Sequence, residues 1–200
     1  MVRSDSLARY DIINYLIKKY NYKSYLEIGV QYEDNWSKVI CDIKIGVDPE
    51  RGGTHRMTSD DFFKDNKEKF DIIFIDGLHH ADQVKKDIIN SLDILNNIGT
   101  IICHDMIPLS YESQVVPRRS KHWNGDCWKA FVHLKQLNLG LSMQTIQTDC
   151  GLGVIRRIGP DVINMNFIEN HLTPLTYEDF LVNQKELLGV ITCEEFLELY

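Results

Sequence analysis

Tyr25-Leu26-Glu27-Ile28-Gly29-Val30 is an apolar run closed by an acid and a glycine, and Ile45-Gly46-Val47-Asp48 repeats the pattern a short distance on. Each reads as a buried strand whose C-terminal end turns sharply. Gly29 lets the backbone approach a neighbour or a ligand closely. At the second tip, Asp48 offers a carboxylate where a ribose diol takes two hydrogen bonds. The pair predicts a nucleoside-bearing cofactor held at strand ends.

Outward from this pair, apolar segments alternate with amphipathic ones. Strands are expected near 24–28, 43–47, 71–75, 98–104, 141–147 and 151–157, and helices near 33–41, 59–67, 81–95 and 124–137. From Ser4 to Tyr20, Leu7, Ile12, Ile13, Leu16 and Ile17 recur at helical spacing, which predicts an N-terminal helix. The run Asp71-Ile72-Ile73-Phe74-Ile75-Asp76 lacks polar alternation, as expected of a parallel sheet covered on both faces. Asn97-Ile98-Gly99-Thr100 reads as a helix stop, with Gly99 available for a left-handed position. Only a few residues around Asp149 separate the last two strands, too few for a crossover helix, so an antiparallel hairpin is expected at the sheet edge. Farther on, Pro160 and Pro174 punctuate a segment in which Tyr177–Leu188 and Thr192–Leu199 have helical patterning.

The 200 residues suffice for one α/β domain with a real core. A net charge of -7 argues against a passive nucleic-acid binder, which leaves a basic footprint. No apolar run reaches the roughly 18 residues of a membrane span, and no signal-peptide pattern opens the sequence. Five cysteines (Cys41, Cys103, Cys127, Cys150, Cys193) lack any CxxC spacing and read as reduced thiols of a cytoplasmic protein.

Which cofactor follows from charge. A dinucleotide enzyme would show G-x-G-x-x-G to seat a pyrophosphate on a helix N-terminus, whereas Gln31, Tyr32, Glu33 and Asp34 follow Gly29 here. Carboxylates at Glu27, Asp48 and Asp76 repel a pyrophosphate but attract a sulfonium and an α-ammonium. The acid-rich turn therefore favours S-adenosylmethionine (SAM) over NAD. The segments LEIGV, GVDP, MTSDDFF, FIDGLHHADQVKKDI and GTIICHDMIP, with WNGDCWKAF and TDCGLGVI, resemble class I SAM-dependent methyltransferases over roughly residues 23–157. They are most similar to the small-molecule and sugar O-methyltransferase branch that carries FIDGxH after its fourth strand. The resemblance implies a Rossmann-like α/β fold with a seven-stranded, mostly parallel sheet in the order 3-2-1-4-5-7-6, its last strand antiparallel. With the patterning of both ends, the chain reads as a single domain of an N-terminal helix (1–22), a SAM-binding core (23–158) and a C-terminal helical appendix (159–200). The resemblance further implies that Glu27 and Gly29 flank the methionine part, that Asp48 holds the ribose, that Ser59 or Asp60 lies near the adenine, and that Asp76 completes the cofactor site. Glu33 departs from the family, standing where a further glycine is common.

A sugar or alkyl hydroxyl is nearly as weak an acid as water, so it needs a base or a metal to become a nucleophile. Asp76, His79 and His80 follow one strand, and His104 and Asp105 end the next. His79 is the expected base, with Asp105 orienting it or binding substrate, and His104 is a further catalytic candidate. Asp76 and Asp105 match the acidic ligands of metal-dependent relatives, for a divalent ion such as magnesium. The following ligand position is Met106, a poor donor to a hard cation. His80, Tyr111, Arg118, Arg119 and Trp123 are expected to meet the acceptor, because the segment from Met106 to Trp123 exceeds a simple connection and gathers bases and aromatics. Trp128, Phe131 and Leu134 recur at helical spacing and are assigned to the core. The leading expectation is O-methylation of a sugar or glycan hydroxyl. Alternatives are another small hydroxylated metabolite, or a non-catalytic domain that kept the cofactor fold. The expected partner is thus a small-molecule or glycan acceptor, not nucleic acid or membrane, and self-association into a homo-oligomer is compatible with the sequence.

Overall fold

The computed structural model describes residues 7–159 and 174–200. Helix α1 (Arg9–Tyr20) leads into β1 (Ser24–Ile28) and β2 (Ile43–Val47), then α2 (Ser59–Asp65), β3 (Phe70–Ile75), α3 (Ala81–Ile94) and β4 (Leu95–Cys103). A four-residue α4 (Tyr111–Gln114) and α5 (Cys127–Gln136) precede β5 (Leu141–Ile146) and β6 (Leu152–Arg157), and the chain closes with α6 (Tyr177–Leu188), β7 (Val190–Ile191) and α7 (Cys193–Leu199). Residues 4–6 of the expected N-terminal helix, and Pro160, lie outside the described residues.

The seven strands form one sheet in the order β2-β1-β3-β4-β6-β5-β7. All neighbours are parallel except β6, which runs antiparallel to β4 and β5. Central strands are apolar on both faces because both faces are covered. Ile73 and Ile75 pack with Val84, Ile88 and Phe131 of α3 and α5, while Ile72 and Phe74 pack with Ile12, Leu16 and Phe196 of α1 and α7. Each such side chain contributes about 1.5–3 kcal/mol when removed from water. The register aligns the strand ends. Gly29 N–H donates to Val47 (2.9 Å), Asp76 N–H to Ile28 (2.8 Å) and His104 N–H to Ile75 (3.0 Å), so the first residues past β1, β3 and β4 share one rim.

Four local expectations are corrected. No helix forms over 33–41, which is a series of turns. Glu33 takes φ +64 and so cannot propagate a helix, its carboxylate accepts from Gly53 N–H, and Asn35 turns inward to Tyr25 and Glu27. The third strand of the family order is reduced to one bridge, Val47 to His55, since Thr54 and His55 both fold back onto the Gly46 carbonyl. Gly99 lies inside β4 instead of a left-handed turn, and a Cβ there would approach the Asp71 carbonyl at 2.7 Å. Among the described residues of the expected C-terminal appendix, those from Tyr177 onward are built into the fold. Val190–Ile191 extends the sheet beside β5, Phe180 packs on Trp128 at 4.9 Å between ring centroids, and Phe196 is fully buried.

Candidate active site

Close backbone approaches assemble the rim. At Gly29 the φ is +89, and a Cβ would lie 2.1 Å from the Asp76 carbonyl oxygen, so only glycine lets the β1 and β3 tips touch. Gly125, at φ +64, allows the entry to α5 to lie against His79, whose carbonyl oxygen would be 1.9 Å from an added Cβ. The residue before it, Asn124, donates to Asp105 Oδ1 at 2.5 Å, and Asp105 itself is in the left-handed region at φ 64. Across the rim, the β5–β6 turn presents Asp149 (φ 46).

Charge is concentrated here. His79 Nε2 lies 3.3 Å from Asp76 Oδ1, and its Nδ1 lies 3.2 Å from Asp105 Oδ2 and 3.0 Å from the Trp123 carbonyl. His104 is buried, with Nδ1 3.2 Å from both Asp76 Oδ1 and Asp105 Oδ2, and Nε2 3.4 Å from Asp149 Oδ1. Arg9, on the first turn of α1, donates from Nη1 to Asp76 Oδ2 (2.7 Å) and from Nε and Nη2 to Asp149 (2.9 and 3.0 Å). Burial works against ionising Asp76, but His104, His79 and Arg9 outweigh it and hold the carboxyl well below the usual carboxylate range. Burial likewise works against protonating the two histidines, yet the surrounding carboxylates raise both above the ordinary imidazole value. With both ring nitrogens facing carboxylates, His104 is a brace between three acids.

One donor atom each from Asp76, His79 and Asp105 lies within 4.8 Å of the others, a spacing that fits a single metal ion. Two carboxylates and an imidazole suit ions between the hard and borderline classes, such as manganese or zinc, as well as magnesium.

Residues 27–106 match a family described as a methyltransferase domain. Among solved structures, the fold is similar to an O-methyltransferase from Bacillus cereus in complex with S-adenosylhomocysteine (SAH), at 14% identity, covering 78% of this chain and 84% of that one with a TM-score of 0.55. It is also similar to the O-methyltransferase TomG from Streptomyces achromogenes, involved in tomaymycin synthesis and solved with SAM (13% identity, 74% and 78% covered, TM-score 0.57). A third is the SAH-bound methyltransferase PaMTH1 of Podospora anserina (14%, 76% and 80%, TM-score 0.54). The fold is that of these class I methyltransferases, and the match to the methyltransferase-domain family lies in its first half. No curated protein matches the sequence significantly.

Around the β1 and β2 tips, the residues expected at a cofactor are engaged with the protein itself. Glu27 Oε2 accepts from Tyr25 Oη (2.5 Å) and Asn35 Nδ2 (3.1 Å), all three residues being buried. Asp48 accepts from the backbone N–H of Gln31 (2.9 Å), Glu50 (2.8 Å) and Arg51 (2.9 Å), which ties the first loop to the β2 tip. Ser59 and Asp60 open α2, where both accept from Gln83 of α3 and Asp60 also pairs with Lys86 at 3.1 Å.

Burial pushes Glu27 up to about 7, against the hydrogen bonds from Tyr25 and Asn35, from an ordinary value of 4.5. The folded state therefore holds this proton more tightly than the unfolded chain, and the fold loses stability as pH rises from about 4.5 to about 7, by about 3 kcal/mol in all. Glu27→Gln is expected to remove that fall, read by denaturant melts at about pH 5 and about pH 8. An unchanged profile would mean the carboxyl does not sit in this buried network.

Of the residues expected to meet an acceptor, Trp123 stacks on His79 (5.4 Å between centroids, 24°), meets His80 edge-on at 5.9 Å and is anchored through Nε1 to the Val115 carbonyl. Arg118 lies 5.9 Å from the Trp123 ring and donates to the carbonyls of Ser120 and Lys121, while Arg119 is exposed. Tyr111 packs edge-on to Tyr177 of α6, apart from the contacts of Trp123. Sequence reasoning missed Arg9, Tyr25, Asn35, Asn124 and Asp149 as members of the rim. Asn124 and Asp149 lie inside the segments WNGD and TDCG, so the motifs flagged the segments without the roles.

Proposed function

We propose that this methyltransferase moves a methyl group from SAM to a hydroxyl oxygen of a small acceptor, with a sugar or glycan hydroxyl as the first class to test. The observation that carries the reading is His79 held between Asp76 and Asp105 at the rim where the β1, β3 and β4 tips meet. When bound, SAM supplies an electrophilic methyl carbon on a sulfonium. The acids at Glu27, Asp48 and Asp76 suit its positive charges and its ribose. His79 is the base that receives the acceptor proton. Its two carboxylate partners hold a proton on it in the ligand-free rim, so weakening either contact lowers its proton affinity toward the range a base needs. Asp105, fixed by Asn124, orients the ring. A divalent ion held by Asp76, His79 and Asp105 would take the place of His79 as base, supplying Lewis-acid polarisation of the hydroxyl instead. A sugar acceptor is supported by the rim of Trp123, His80 and Arg118, which offers stacking and donor groups together. A cytoplasmic setting is supported by five free cysteines.

Calorimetry with SAH tests the donor. Wild type is expected to bind, and Asp48→Ala to weaken binding at least about tenfold, about 1.4 kcal/mol. No binding by wild type would sink the proposal. A mass-shift screen with labelled SAM across nucleotide sugars, glycans and phenols tests the acceptor. Methylation of phenols alone would replace the acceptor class while keeping the donor.

A further inference from the structure

Arg9 lies 67 residues from Asp76 and 140 from Asp149 in the chain, yet it bridges the two acids, as His104 also does. Its side chain is not free to swing. Asp149 accepts from Nε, from Nη2 and from the backbone N–H of Arg9 itself (3.0 Å), so the fork is pinned on one side and Nη1 is presented to Asp76 on the other. The planar guanidinium is pre-organised for such a two-carboxylate grip, which lysine cannot reproduce. Asp76 is thereby fully engaged: Oδ2 by Arg9, Oδ1 by His79 and His104. The same carboxylate belongs to the Asp76–His79–Asp105 group whose spacing fits a metal ion.

We propose that Arg9, locked by Asp149, is a resident cation that shares Asp76 with any divalent ion and sets the affinity of the rim for metal. A fixed positive charge on Oδ2 withdraws a ligand atom from the ion and repels the ion as well. Removing that charge frees both. The inference rests on the reading of Asp76, His79 and Asp105 as the metal-capable part of a methyltransferase rim, and its test separates the two.

The probe is Mn2+ alone, titrated into the full chain and followed by the loss of the free-ion electron paramagnetic resonance signal. Arg9→Gln is expected to bind Mn2+ at least about tenfold more tightly than wild type, which is about 1.4 kcal/mol. Adding Asp105→Asn to Arg9→Gln is expected to abolish that gain, locating the ion at the rim. Arg9→Lys, which keeps the charge but loses the fork, is expected to fall between wild type and Arg9→Gln, and it serves as the decisive variant if Arg9→Gln does not fold by circular dichroism. Equal Mn2+ affinity in wild type and the folded variants, or no binding in any of them, overturns the proposal. SAH calorimetry on the same samples distinguishes the failures. Wild type that binds SAH with Arg9-independent Mn2+ affinity removes only the role of Arg9, whereas absence of SAH binding removes the methyltransferase reading.

Discussion

Asp76→Asn is expected to lower the melting temperature by about 10 °C and to abolish SAH binding. The side chain keeps its shape, so the loss is one of charge. Its carboxylate faces His79, His104 and Arg9 at 3.3, 3.2 and 2.7 Å. Neutralising it leaves the buried His104 imidazolium and the Arg9 guanidinium with one fewer counter-charge. Breaking a buried pair from one side costs about 3–5 kcal/mol, because the remaining charge stays desolvated. In a chain of this size each kcal/mol moves the midpoint by about 2–4 °C. The pH dependence has a definite sign. Asp76 is depressed in the folded state, so its contribution is present above the unfolded carboxylate pKa and is lost as pH falls below it. Asp76→Asn should therefore narrow its deficit against wild type on acidification. Thermal melts at neutral and acidic pH, with SAH calorimetry, check both statements. An unchanged midpoint with intact SAH binding would remove Asp76 from the centre of the rim.

Gly29→Ala is expected to be of similar size and to act through backbone, not charge. The residue sits at φ +89, where a side chain costs about 1–3 kcal/mol. The new Cβ would also stand 2.1 Å from the Asp76 carbonyl oxygen and 2.7 Å from Gly77 Cα, so the β1 and β3 tips must part. Forcing atoms into packed space costs about 1–3 kcal/mol more. Together the two effects predict about 3–5 kcal/mol of destabilisation, seen as a lower denaturation midpoint, and loss of SAH binding, since Glu27 and Asp76 would no longer share a rim. A stable Gly29→Ala protein that binds SAH normally would show that the tips tolerate separation.

Much of this architecture was legible beforehand. All six strands expected from the sequence are present, because a run such as Phe70–Ile75 is apolar at every core position and announces its burial locally. Helices α3, α5 and α6 were legible for the same reason, through their amphipathic spacing. The segment after Gly29 was not. Its composition allows a helix, but Glu33 is drawn to Gly53 N–H and Asn35 to Glu27, and these distant contacts override local propensity. The C-terminal residues were likewise misjudged, since the value of Phe180 and Phe196 to the core depends on Trp128 and Tyr15 lying opposite them.

The sequence by itself determined which strands form and which acids stand at their ends: Glu27, Asp48, Asp76 and Asp105. Burial periodicity and turn residues are properties of short segments, so they can be read without the fold. Only the tertiary structure decided what those acids face. Arg9 reaches Asp76 and Asp149 across 67 and 140 residues of chain, Asn124 reaches Asp105 across 19, and Tyr25 and Asn35 consume part of Glu27. Such partners meet because strands packed in register bring distant loops to one rim, and the charge on each group is set by that meeting.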